Sequence, residues 1–267
     1  MNNPLLQSPI MAMLKDLEAE LNRFGVDFYL VGAVARDYHL SAKPDLSSSR
    51  ITDDVDIAVM LNDAGQFNKI KAAILDTGNF VADETEPIKL FYKGQLEIDL
   101  LPFGAIQAED GHVFLQPPNL FTLDLPGFAE VYPFVESVAV DGDFSVKVCP
   151  VEGIVILKLI ASYQDPSRTK DILDIGHMTS VYFELADQDI YEDHFDVMDS
   201  YDTAEAGYLT LVSARVIGRK MQEILRSAPL LQATITTQLK KRNEPWAEPM
   251  LMGLQDNPRS ISHSRGR

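Results

Sequence analysis

Residues 50 to 57, Arg50-Ile51-Thr52-Asp53-Asp54-Val55-Asp56-Ile57, carry the densest chemistry in this chain. In an extended strand alternate side chains share a face, so Asp54 and Asp56 point one way while Val55, Ile57 and Val59 point the other. Burying the aliphatic face in a core leaves two carboxylates side by side on the opposite one. Such a pair repels unless a hard, oxygen-seeking cation such as Mg²⁺ lies between its members. Upstream, Phe28-Tyr29-Leu30-Val31 reads as a buried strand that breaks at Gly32 into a helix beginning near Ala33. A glycine at a strand-to-helix turn lets backbone N–H groups approach a phosphate at the helix N-terminus. A phosphate cradle beside a metal-binding carboxylate pair points to phosphoryl or nucleotidyl transfer.

A later stretch repeats the pattern. Strands near 88–93 and 96–102 are separated by the hairpin-like turn Lys93-Gly94-Gln95. On the second strand Glu97 and Asp99 share one face and Leu96, Ile98 and Leu100 the other. Asp99 is the candidate third carboxylate, a metal ligand and proton acceptor for an attacking hydroxyl, with Glu97 as the competing acid. On the helix after Gly32, Arg36 either pairs with Asp37 or faces a phosphate. Thr52 either bonds within its own loop or contacts nucleotide. The five histidines (His39, His112, His177, His194 and His263) lack metal-ligand spacing, which argues against a zinc site.

The elements that position these residues follow from periodicity. Leu14, Leu17 and Leu21 have helical spacing, and Gly25 closes the pattern. Pro44 and Ser47-Ser48-Ser49 mark a loop before the carboxylate strand, and Asp63 caps a helix containing Phe67, Ile70 and Ile74. From Pro150 the chain turns helical, with Val151, Ile154, Leu157, Leu159 and Ile160 supplying apolar surface. A second helix starts around Arg168, and others cover 208–225 and 230–241. The reading is an α+β fold, a mixed sheet with flanking helices, followed by a helical domain. Residues 1–149 form the catalytic domain, 150–255 the helical domain and 256–267 a polar, disordered tail.

Composition narrows the class. The 46% apolar content suits a globular protein, and the single cysteine, Cys149, excludes a disulfide framework. No basic segment precedes an apolar run at the N-terminus, and the apolar run near Ile154 is broken by Lys158. Neither a secretory signal nor a membrane span is expected, and the lone cysteine fits the expectation of a reducing cytoplasm. A net charge of −17 argues against binding polynucleotide along the whole surface. Between Glu184 and Glu205 nine carboxylates stand with no lysine or arginine. That stretch is either a solvated acidic face or mobile loop, or a surface for a cationic substrate or basic partner.

With Gly32-Ala33 at the turn, Asp54-Val55-Asp56 as the pair and Asp99 as the third acid, the chain resembles the nucleotidyltransferases of the DNA polymerase β superfamily. Gly-x-x-Ala-Arg-Asp with Thr-x-Asp-x-Asp looks most like the AbiEii-type (abortive-infection toxin) branch. That branch also carries a lysine-plus-aspartate motif in its helical part, matched by Arg168-Thr169-Lys170-Asp171-Ile172-Leu173-Asp174. The likeness covers residues 24 to 178. Ala33 replaces the usual second Gly or Ser, so the turn lacks a serine hydroxyl as a phosphate donor.

The resemblance implies an enzyme that moves a nucleoside monophosphate from an NTP to an acceptor hydroxyl. Asp54, Asp56 and Asp99 would hold two Mg²⁺ ions. Gly32, Ala33, Arg36, Thr52, Lys170 and Asp171 would bind the nucleotide, Lys170 neutralising phosphate charge and Asp171 orienting it; Lys158 is a weaker candidate. The acceptor would be tRNA, as for a toxin-like enzyme, or a cationic small molecule, as for the aminoglycoside-modifying kind. The remaining alternative is a non-catalytic nucleotide-binding or toxin–antitoxin module, and an antitoxin is a candidate partner.

Overall fold

The computed structural model describes residues 3–43, 46, 54–108, 111–116 and 120–257. Thr52 and the tail from 258 onward lie outside the described residues. The chain opens with helix α1 (Ser8–Arg23), which buries Leu14, Leu17 and Leu21 on one face. Strand β1 (Phe28–Leu30) leads into α2 (Gly32–Leu40), and β2 (Asp54–Met60) into α3 (Ala64–Asp76). The Asp63 carboxylate accepts a hydrogen bond from the Gln66 backbone N–H at 2.8 Å, capping α3 as its sequence demands. Strands β3 (Phe80–Ala82), β4 (Lys89–Tyr92) and β5 (Leu96–Phe103) follow. Next come the hairpin β6 (His112–Leu115) and β7 (Phe121–Asp124), the short helix α4 (Phe128–Val131), and strands β8 (Glu136–Asp141) and β9 (Phe144–Val148).

Seven of these strands form one mixed sheet in the order β3-β4-β5-β2-β1-β9-β8. The central pair decides the rest. β2 runs parallel to β5, and Asp54 registers with Glu97, Val55 with Ile98, Asp56 with Asp99 and Ile57 with Leu100. Val55, Ile57, Ile98 and Leu100 are all buried, so the aliphatic faces lock both strands in one register. A slip of one residue would turn every one of those side chains to the wrong face. β1 pairs antiparallel with β2 and parallel with β9, placing Val31 and the α2 turn beside the carboxylate end of β2.

Beyond Pro150 the chain is helical: α5 (Val151–Gln164), α6 (Thr169–Leu185), α7 (Asp187–Asp193), α8 (Phe195–Met198), α9 (Tyr208–Ile224), α10 (Pro229–Leu239) and α11 (Ala247–Gln255). The acidic stretch is helical over α7 and α8, where periodicity gave no helix, because buried Ile190 and Val197 pin both to the core. Its charge is partly met from outside the stretch. Lys220 on α9 bonds Asp189 at 2.7 Å, and Arg219 bonds Asp196 at 2.7 Å. Asp256, placed by sequence at the start of the tail, is held by Arg215 at 2.9 Å and Arg219 at 2.6 Å.

α9 and α11 cross so closely that only glycine fits. A Cβ at Gly218 would lie 2.1 Å from the Met250 carbonyl oxygen, and one at Gly253 would lie 2.0 Å from that of Arg215. Both obstacles are backbone, which cannot rotate away. Gly253→Ala should therefore lower stability by about 3 kcal/mol, the upper end for overpacking a tight site, measured by urea denaturation. An unchanged midpoint would mean that the two helices separate without cost.

Candidate active site

The three sequence-predicted carboxylates meet at one end of the β2–β5 pair. Asp56 and Asp99 are direct register partners, and Asp54 lies on the same face of β2. All three line a cleft of about 750 Å³ with Val31, Gly32, Ala33 and Arg36 from the sheet side and Lys158, Arg168, Lys170, Asp171 and Asp174 from the helical side. Glu97, the competing acid, is drawn off by Lys89 at 2.6 Å and is not among the cleft-lining residues, whereas Asp99 is.

Gly32 explains itself at this point. Its φ is +63°, a conformation that disfavours any Cβ, and a Cβ there would sit 1.9 Å from Asp56 Oδ2. The Asp56 carboxylate thus rests against the bare Cα of the turn, and the turn presents the start of α2 to the cleft. Ala33 is half-exposed next to it, close enough for a ligand to reach the backbone.

Electrostatically the triad is unsettled. Burial pushes the Asp56 pKa up to about 7, and the neighbouring Asp54 and Asp99 push in the same direction. Asp99 is raised by burial too, with Glu97, Glu86 and Asp54 adding to the shift and Lys89 opposing it. Asp99 Oδ1 is buried without a hydrogen-bond partner. A buried acceptor oxygen left unpaired next to two more carboxylates is a donor set that fits a divalent cation. Among the described residues, no three His, Cys, Asp or Glu side chains stand already clustered as a metal cage. Holding an ion therefore calls for side-chain rotation, and exposed Asp54 has room for it.

The helical side is an alternating chain of charges. Arg168 bonds Asp171 at 2.6 Å, Asp171 bonds Lys158 at 2.8 Å, Lys158 bonds Asp174 at 2.9 Å, and Asp174 bonds Arg36 at 2.7 Å. Arg36 also bonds Asp37 at 2.7 Å. Burial would raise Asp174, but Lys158 and Arg36 outweigh it and hold the carboxyl below its ordinary range. One expectation from the sequence is corrected by these bonds. Asp171 does not orient Lys170; its carboxylate grips Lys158 and Arg168. Asp174 is taken by Lys158 and Arg36. Of the two readings of Arg36, the side chain is 6% exposed and adopts the ion pair.

Lys170 is exposed at the cleft lip, and Arg168 beside it keeps a side chain 54% exposed. Lys158 and Arg168 are the cleft cations that sequence reading undervalued. The signal for Lys158 was a lysine interrupting an apolar helix, which only a buried acid on another helix would explain. Thr52 falls outside the described residues.

The raised Asp56 pKa has a stability consequence. A carboxyl that binds its proton more tightly when folded contributes stability that is lost as pH rises from about 4 to about 7. Asp56→Asn cannot ionise, so its melting temperature relative to the wild type should climb across that window and level off above it. A constant difference from pH 4 to pH 8 in scanning calorimetry without divalent ions would refute the assignment of Asp56 as the strained acid.

No curated protein matches the chain. Among solved structures, the antibiotic-resistance factor ANT(2'')-Ia in solution aligns with TM-score 0.40 and 14% identity, over 71% of this chain and 94% of that one. ANT(2'')-Ia in complex with adenylyl-2''-tobramycin gives 0.37 and 13%, over 70% and 92%. An antigenic nucleotidyltransferase-like protein from Paracoccidioides brasiliensis gives 0.41 and 18%, over 65% and 76%. The family model described as nucleotidyl transferase AbiEii toxin, type IV toxin–antitoxin system, matches residues 15–261, nearly the whole length. The cleft with its paired aspartate strands thus sits in a chain that belongs to the AbiEii nucleotidyltransferase family.

Proposed function

We propose that this nucleotidyltransferase moves a nucleoside monophosphate from an NTP to an acceptor hydroxyl in a Mg²⁺-dependent reaction at the Asp54–Asp56–Asp99 cluster. The observation that carries this reading is the β2–β5 register, which sets Asp56 against Asp99 beneath the Gly32 turn. The three aspartates would hold the metal. A bound Mg²⁺ pair supplies Lewis-acid activation of the attacking hydroxyl and neutralisation of triphosphate charge. The Gly32–Ala33 turn and the N-terminus of α2 would receive the phosphates, whose negative charge suits that end of a helix. Lys170 and Arg168, at the lip, would neutralise charge on the departing pyrophosphate. Lys158 and Arg36 would fix the walls rather than touch the reacting atoms, since their charges are already met by Asp171, Asp174 and Asp37.

The lining favours one acceptor class over another. Six carboxylates (Asp54, Asp56, Asp99, Asp124, Asp171 and Asp174) face four cations (Arg36, Lys158, Arg168 and Lys170). No basic stripe runs along the described cleft, which supports a cationic small-molecule acceptor over tRNA. A basic antitoxin would suit the net charge of −17 and the toxin–antitoxin description of the family. No helix among the described residues is long and apolar enough to cross a membrane, and a buried free thiol at Cys149 suits a reducing cytoplasm.

Two tests bear on this. The Asp54→Asn, Asp56→Asn double variant should keep its fold yet lose transfer and Mg²⁺-dependent ATP binding. Calorimetry showing unchanged MgATP affinity would remove metal binding from these residues. Lys170→Ala should lower kcat by about 10²-fold, the scale of one lost electrostatic donor, with no change in melting temperature. A kcat within twofold of the wild type would return Lys170 to the solvent-facing helix surface.

A further inference from the structure

The acidic stretch after α6 carries a feature that charge alone does not explain. Phe183 near the end of α6, Tyr191 on α7 and Phe195 at the start of α8 form a row of rings, with successive centroids 5.8 Å and 6.4 Å apart. Phe183 packs against the core, whereas Tyr191 and Phe195 are each 52% exposed. Two large aromatic side chains held together in water are an apolar patch of the kind that marks an interaction surface. Around them the charge has one sign. Of the nine carboxylates between Glu184 and Glu205, Asp189 and Asp196 are paired with Lys220 and Arg219. The other seven are exposed and make no ion pair among the described residues. Asp187, Glu192, Asp193 and Asp199 each stand within four positions of Tyr191 or Phe195. The face is also preformed. Ile190 and Val197 are buried beneath it, the two ion pairs tie α7 and α8 to α9, and the Tyr208 hydroxyl donates to the Met198 carbonyl at 3.0 Å. None of these residues lines the cleft.

We propose that the α7–α8 face is a docking surface for another protein, and that the segment it takes is a basic amphipathic helix. Such a helix carries an apolar stripe flanked by lysine and arginine. Its stripe covers Tyr191 and Phe195, and its flanks meet the unpaired carboxylates. An arginine at the border also stacks on an aromatic face. The other occupants fit less of the surface. A bare polycation neutralises the carboxylates but leaves both rings in water. Nucleic acid and an anionic lipid surface share the sign of the face and are repelled by it. A second copy brings the same net charge of −17 to the contact. Because α7 and α8 are held in place before any partner arrives, little ordering cost is charged against binding. The proposal does not depend on what the cleft transfers.

The test is fluorescence anisotropy of a labelled helix-forming peptide titrated with the full chain. The peptide carries leucine at i, i+3, i+4 and i+7 with arginine on both flanks; a control peptide replaces each leucine by glutamine and keeps the charge. The leucine peptide should bind at least about tenfold more tightly than the control, the scale of a lost aromatic anchor contact, and should weaken as salt is raised. Tyr191→Ala with Phe195→Ala should cost the leucine peptide about tenfold in affinity and leave the control peptide unchanged. Asp187→Asn, Glu192→Gln and Asp193→Asn together should weaken both peptides and flatten the salt dependence. All five side chains are exposed, and melting curves check that the variants fold. The charge variant keeps the proposal testable should the aromatic one unfold. Equal affinity for the two peptides overturns the proposal, since the face would then attract charge alone. Binding that neither variant changes overturns it by placing the peptide elsewhere. A dimer in sedimentation that the aromatic variant dissolves gives the face to a second copy, and that also overturns it.

Discussion

Asp56 sits where a carboxylate is least at ease. It is desolvated beneath a helix turn, in register with Asp99 and next to Asp54, so that losing its proton costs more than for an exposed acid. A fold selected for stability alone would put an asparagine or an aliphatic residue there. The chain instead surrounds that position with features that make sense only around it. The turn residue is a glycine because a Cβ would strike the carboxylate. Strand β5 runs parallel to β2, which delivers Asp99 opposite Asp56 while the aliphatic faces of both strands stay in the core. Glu97, the acid nearest in register to Asp54, is neutralised by Lys89 and kept out of the cleft.

Facing this cluster is a wall whose inner charges are paired. The run Arg168–Asp171–Lys158–Asp174–Arg36 alternates in sign at every step. Buried ion pairs of this kind contribute little net stability against their desolvation, yet removing one member strands its partner and costs about 3–5 kcal/mol. Their effect is on geometry. Lys158 joins α5 to α6, and Asp174 joins α6 to α2, the helix that follows the Gly32 turn. The wall of the cleft is thereby held at a fixed distance from the phosphate turn, without relying on loops. Among the described cations of the cleft, Lys170 and, in part, Arg168 keep the freedom to meet a ligand.

Much of the sheet side was legible in the sequence, and the reason is period. Alternation of Asp with Val and Ile over β2, and of Glu and Asp with Ile and Leu over β5, specifies which face is buried regardless of what the strands pair with. Gly32 was legible because a glycine between an apolar strand and a helix has few other uses. What the sequence could not show depends on residues far apart along the chain. The parallel register of β2 with β5 is one such fact. The destination of Lys158 is another, since its partners lie on the next helix rather than one turn away. Lys170 and Asp174 stand one turn apart in the charge order less favourable for an i,i+4 pair, and Asp174 pairs instead with Lys158 and Arg36. The helical character of the acidic stretch was hidden for a similar reason: two buried residues, Ile190 and Val197, outweigh a composition that reads as solvated.

The switch to helices at Pro150 is a change of secondary structure more than a seam in the packing. Pro150 is the N-cap of α5, and the residue before it, Cys149, is fully buried with its carbonyl bonded to His39 on α2 at 2.8 Å. Gly153, one turn into α5, has room for no side chain: a Cβ would come within 2.8 Å of both Cys149 Sγ and Val131. The buried apolar residues of the sheet, from Leu30 to Val148, and those of the helices, from Val151 to Leu254, form a single core cluster. Both walls of the cleft are therefore anchored in the same packed interior. A sheet half expressed without α5 would expose the Cys149–Val151 seam, lose Lys158 and leave the phosphate turn without its facing wall. The site belongs to neither half of the chain, because the elements that make it chemically competent meet only where the two are packed as one.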